Sequence, residues 1–136
     1  MARETKAERL AREAELRQLR ERAFLTEYPA KLTQLVYEFA TKDTSKFEVK
    51  RNTVESTFEL NALTDRGYFK QSYTLPFLLE QYNPAIEMEV QEAEWQISEY
   101  DRRLAEEQRL REVKKTALKK LNELLSDEER AALNLN

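Results

Sequence analysis

The spacing of apolar residues changes several times along this chain, and each change marks an element. Residues 3–28 are rich in Ala, Glu, Lys, Leu and Arg, which are strong helix formers. Glu8→Arg12 and Glu13→Arg17 add favourable i,i+4 pairs. The apolar stripe here is thin: Ala7, Leu10, Ala11, Ala14, Leu16, Leu19 and Ala23. Small side chains bury little area, so this arm is expected to fray alone or to lie on a partner. Pro29 disfavours helical geometry at Tyr28 and predicts an end or restart of the helix. Leu32, Leu35, Val36, Phe39 and Ala40 then recur at i, i+3, i+4, i+7 and i+8. That full stripe predicts the best-buried helix, over residues 30–41.

After a polar loop, Lys42-Asp43-Thr44-Ser45, the period falls to two. Val54, Ser56, Phe58 and Leu60 alternate with Thr53, Glu55, Thr57 and Glu59, and residues 68–75 alternate in the same way. Thr64-Asp65-Arg66-Gly67 between them is a turn signal, giving a β-hairpin of 53–62 and 67–75. Pairing Leu60 with Phe69 puts Val54, Phe58 and Leu60 on one face with Phe69, Tyr73 and Leu75, and sets Glu59 opposite Lys70. An Asp65-Arg66-Gly67 bulge loop is the competing turn, with a poorer register. Residues 46–50 can add a third strand through a turn at Arg51-Asn52.

Pro76 closes the strand, and Asn83-Pro84 opens a helix with Pro84 in its first turn. Ile86, Val90, Ala93, Ile97, Tyr100 and Leu104 repeat at 4-3-4-3-4, a heptad seam. The seam breaks at Glu107 and resumes with Leu110, Val113, Ala117, Leu121 and Leu124, a stutter-like shift. No Gly or Pro interrupts 85–125, so this helix spans about 60 Å and should pack on another helix, in this chain or a second one. Ser126 and Glu129 form a capping box for a short helix ending near Leu133.

These elements predict an α+β fold: long, coiled-coil-like helices packed with a small antiparallel hairpin or three-stranded meander. Residues 1–28 form a helical arm, 29–104 the α+β core, and 105–136 a C-terminal arm with the short capped helix. The order long helix, hairpin, long helix is similar to that of the β-type subunit of prefoldin. No residue motif carries that likeness, and no function is taken from it.

Composition narrows the chemistry. The 136 residues include no Cys, no His and one Gly, and 36% are charged. Disulfides, thiolate metal sites, cysteine nucleophiles and His-based triads are excluded. One glycine cannot build a phosphate-binding glycine loop. Carboxylates, Lys, Tyr or a carboxylate-held Mg²⁺ remain, which points away from an enzyme and calls for no cofactor. A carboxylate metal site at Glu87, Glu94 and Asp101 is weighed against a solvated acidic face, and the latter is favoured. No apolar run is long enough to span a membrane, and the N-terminus, Met1 to Lys6, has no apolar signal core, so a cytoplasmic protein is expected.

Two surfaces stand out. The outward hairpin face is expected to carry Phe47, Arg51, Tyr68 and Lys70, with Lys46, Lys50 and Arg66 at its edges. Rings interleaved with cations suit single-stranded nucleic acid, because bases stack on the rings and phosphates meet the cations. Glu55 and Glu59 on the same face oppose that reading, as does the net charge of −3. The second surface is the long helix. Residues 80–101 hold Glu80, Glu87, Glu89, Glu92, Glu94, Glu99 and Asp101 with no Lys or Arg. Residues 102–120 hold eight Lys or Arg against three Glu, a balance of +5. That polarity suits antiparallel helix pairing, with Ile86, Val90, Ile97, Tyr100 and Leu104 as an oligomer interface. Trp95, one step off the seam, is expected to pack over the sheet, with an interface anchor as the alternative. The resulting expectation is a non-enzymatic homo-oligomer that binds single-stranded nucleic acid, or a protein-interaction module (adaptor, inhibitor or chaperone-like coiled coil) acting through its helical arms.

Overall fold

The computed structural model describes residues 3–133; residues 1–2 and 134–136, assigned above to the expected N- and C-terminal arms, lie outside the described residues. The fold is α+β, with two long helices and a three-stranded antiparallel sheet. The first helix, α1, runs from Lys6 to Thr41 without a break. It starts at a capping box that sequence reading passed over: Glu8 N–H donates to Thr5 Oγ1 at 3.1 Å, and Thr5 N–H donates to the Glu8 carboxylate at 3.3 Å.

Pro29 does not end α1, contrary to expectation. It lies inside the helix on its exposed side. A proline here removes one backbone hydrogen bond and costs about 3 kcal/mol. Phe24, Tyr28, Leu32, Leu35 and Phe39 are all buried along one face across it. Five such side chains, at about 1.5–3 kcal/mol each, outweigh that cost. Thr33 Oγ1 donates to the Pro29 carbonyl at 2.8 Å, and Tyr28 Oη donates to the Pro76 carbonyl at 2.6 Å, tying the proline turn to the sheet.

The sheet has the order β1-β2-β3: Phe47–Asn52, Thr57–Leu63 and Phe69–Pro76. The first turn lies later than expected. Asn52 Oδ1 accepts from Val54 N–H and Glu55 N–H, and Ser56 adopts φ 55°. Val54 therefore belongs to the turn and is 93% exposed, not part of a core face. The second turn is the bulge loop Asp65-Arg66-Gly67. Gly67 N–H donates to the Thr64 carbonyl, Thr64 N–H donates to the Tyr68 carbonyl, and Gly67 takes φ 83°. Leu60 consequently faces Tyr73, Phe58 faces Leu75 and Glu59 faces Thr74, in place of the expected Leu60–Phe69 and Glu59–Lys70 pairs. The pairing slips again between Ala62 and Leu63, where Ala62 meets Gln71 but Leu63 meets Phe69. Lys70 is the extra residue of this bulge.

The second long helix, α2, spans Pro84–Leu124, and a short α3 spans Asp127–Leu133. Asn83 caps α2, its Oδ1 accepting from Ala85 N–H at 2.9 Å. Ser126 and Glu129 form the expected capping box of α3. The chain divides into two compact units, 1–97 and 98–136. In the first unit, α1 lies against β1 and β2. The core joins the α1 face to Phe47, Leu60, Ala62, Tyr73 and Leu75 of the sheet and to Val90, Ala93 and Ile97 of α2. Gln96 donates to Tyr73 Oη at 3.3 Å. The ion pairs Arg20–Glu87 and Lys31–Glu94 link α1 to α2. In the second unit, every residue of α2 from 101 to 121 is exposed.

Candidate interaction surfaces

The sheet face turned away from the core differs from the expected one, because its composition follows from the register. Phe47, Val49 and Arg51 alternate with Glu48, Lys50 and Asn52 along β1. Phe47 faces inward, is 5% exposed, and meets Phe39 edge-on at 5.1 Å. It is a core residue and no stacking platform. Arg51 shares the inward side at the open end of β1, where its guanidinium lies 5.3 Å from the Phe77 ring. Lys50 faces outward, opposite Glu59.

The bulge at Lys70 brings Phe69 onto this outward face. Phe69 is 55% exposed, and the Lys50 ammonium lies 5.3 Å from its ring centre. Tyr68, beside it at the hairpin tip, is 71% exposed, and Arg66 and Lys70 are exposed as well. Carboxylates balance several of the cations. Lys46 pairs with Asp65, and Lys50 with Glu48 at 3.5 Å. Asn61, at the centre of the face, is fully buried under its neighbours. Its amide donates to Glu48 at 3.2 Å, and its carbonyl accepts from Ser72 Oγ at 2.6 Å. This network fixes the middle of the sheet and leaves the aromatic group at the hairpin end.

The predicted interface on α2 also divides. Val90 and Ile97 are buried in the chain's own core, Ile86 and Tyr100 are half-buried, and Leu104 is exposed. The inward stripe of the first unit is already occupied, so it is not a surface for a second chain. Trp95 does not cover the sheet; it is 55% exposed. Met88, one heptad earlier, is 61% exposed.

In the second unit, Leu110, Val113, Ala117, Leu121 and Leu124 occupy successive turns of α2 at spacings of 3, 4, 4 and 3, all exposed. Arg111, Lys115 and Lys119 recur at i, i+4 and i+8 on the opposite face. Near the start of this unit the charges neutralise one another locally. Arg102 donates to Glu99 at 2.6 Å and Arg103 at 3.1 Å. The Arg102 hydrogen bond is the main reason that the Glu99 carboxyl is pulled down to about 2. Arg109 likewise holds Glu106 below the usual carboxylate range.

Of the acidic residues weighed for a metal, Glu87 accepts from Tyr82 Oη and Glu94 pairs with Lys31. Among the described residues, no group of three or more acidic side chains is arranged to hold a metal ion. Among the same residues, no helix is long and apolar enough to cross a membrane. Comparison with family models, curated proteins and solved structures finds no match to this chain, so its surfaces are read from their own geometry.

Proposed function

We propose that this chain is a non-enzymatic protein-interaction module, and that its binding element is the exposed amphipathic helix of residues 102–124. One observation carries this reading: a five-residue apolar stripe on α2 lies open, in a stretch where residues 101–121 are all exposed. Helices draw most of their stability from a packed apolar face, and the stripe of this one is left exposed within its unit. An apolar patch rimmed by charge is the usual mark of a protein contact. The residue set, with no His or Cys, supports binding over catalysis.

The test is a photo-crosslinking side chain at Val113, in the cells that make the protein, beside a control at the exposed Tyr37. A discrete protein adduct at Val113, lost when Leu110 and Leu121 are changed to Asp, is expected. Absence of any protein adduct at Val113 would contradict the reading.

A second reading is favoured by the Phe69–Lys50 pair beside Tyr68: single-stranded nucleic acid on the hairpin end of the sheet. Each stacked base is worth about 1–3 kcal/mol, and phosphate contacts weaken with salt. Anisotropy of a labelled strand of about 30 nucleotides tests it. Saturable, salt-sensitive binding lost in Lys50→Ala/Tyr68→Ala/Phe69→Ala supports it, and no binding at low salt removes it.

A further inference from the structure

Two exposed surfaces of this chain, one in each unit, combine apolar side chains with charge of opposite sign: lysines border one and Glu92 borders the other. In the second unit, the stripe Leu110, Val113, Ala117, Leu121 and Leu124 is bordered by a lysine on either edge. Around the helix axis Lys114 falls just outside Leu121 on one edge of the stripe, and Lys120 just outside Val113 on the other. These are the positions flanking the seam of a helix pair, where charge selects the partner. Two such stripes brought together would set lysine against lysine, so the helix calls for an acidic partner face.

The first unit presents one. There α2 turns Val90, Ala93 and Ile97 inward and leaves Met88 and Trp95 exposed, one heptad apart. Gln91 and Glu92 are exposed between them. Residues 80–97 contain no Lys or Arg. Glu87 and Glu94 are engaged by Arg20 and Lys31 of α1 and Glu89 is half-buried toward β3, so Glu92 is the carboxylate that borders Met88 and Trp95. Exposed Met88 and Trp95 beside Glu92 supply the apolar anchors and the carboxylate that a basic amphipathic helix lacks in its own unit.

We infer that the partner is a second copy of this chain: the basic helix 102–124 of one copy docks on the Met88–Trp95 face of another. The inference rests on reading 102–124 as the interaction helix, and it names the occupant. The pairing of Lys114 and Lys120 with Glu92 makes the contact sensitive to salt.

Sedimentation equilibrium of the full chain at about 50 mM and about 500 mM salt tests it. Association at low salt, weakened at least about tenfold at high salt and about tenfold by Trp95→Ser, is expected. Charge exchange supplies the specific arm. Lys114→Glu/Lys120→Glu alone and Gln91→Lys/Glu92→Lys alone should each be monomeric, and a mixture of the two variants should associate. All five positions, Trp95 included, are exposed, so thermal unfolding of each variant should match that of the parent protein. A chain monomeric at low salt overturns the inference, as does association that ignores these substitutions. A different protein crosslinked at Val113, with the chain itself monomeric, overturns the second-copy assignment and leaves the interaction-module reading standing. Neither adduct nor association removes both.

Discussion

The two parts of α2 obey different rules. Up to Ile97 the helix has a buried side, with Val90 and Ala93 fully covered and Glu89 and Gln96 reaching β3. From residue 101 to 121 every residue of the same helix is exposed. Helix propensity is high in both parts. The difference lies in what the apolar positions have to pack on. The contrast teaches that a strong helical pattern marks an element, while the fate of its apolar face is decided by the rest of the fold.

The largest expected effect separates core from stripe. Phe39 is completely buried against Phe47, so Phe39→Ala should cost about 3–5 kcal/mol in chemical denaturation. Val113→Ala, on the exposed stripe, should change the unfolding of the isolated chain by less than about 0.5 kcal/mol. Equal costs for the two would break the comparison. Next is Pro29. With its ring exposed and the helix continuous through it, Pro29→Ala restores a backbone donor and should stabilise the first unit by about 1–3 kcal/mol. A loss of stability would mean that the core needs the geometry that proline imposes. Smaller again is Tyr28→Phe, which removes the 2.6 Å hydrogen bond to the Pro76 carbonyl and should cost about 1 kcal/mol.

The smallest effects concern pH, and they run in opposite directions in the two units. Burial raises the Glu89 carboxyl above its ordinary 4.5, against the lowering effect of the Thr74 N–H, while nearby Glu92 adds to the rise. The folded state therefore holds this proton more tightly, and the stability it lends below pH 4.5 is lost as pH rises through the folded value. Glu89→Gln should raise the melting temperature at about pH 7 and change it less at about pH 4. Glu99 has the reverse sign. Its carboxyl is depressed to about 2, so its contribution is present above 4.5 and disappears as pH falls through about 2. Melting curves of Glu89→Gln and Glu99→Gln across this range would reveal the two slopes.

Much of the fold was legible from local pattern. The stripe from Leu32 to Phe39, the existence of three strands, Asn83-Pro84 at the start of α2 and the Ser126–Glu129 box all follow the spacing, while the first turn falls at 53–56, where strand was expected. Pro29 was misread because its local penalty was weighed without the five buried side chains flanking it. Register was misread because alternation fixes faces but not partners, so a four-residue slip keeps most apolar residues inside. The turn was the available signal: a turn closed by the Gly67 N–H on the Thr64 carbonyl, with Gly67 at positive φ, sets Leu63 opposite Phe69. The Lys70 bulge lay beyond any alternating pattern, and it places Phe69 beside Lys50. Phe47 was assigned outward because β1 was given no register of its own. The break at Glu107 was visible, but only burial showed that the stripe before it is used within the chain and the stripe after it is open.

Amide hydrogen exchange along α2, at low and at high protein concentration, tests the central contrast most directly. We expect slow exchange at residues 86–97 at both concentrations. We expect fast exchange at 104–124 in dilute protein, slowing as concentration rises and the open stripe is covered. Equal, concentration-independent protection along the whole of α2 would contradict the account, because the second part would then be stable without a partner.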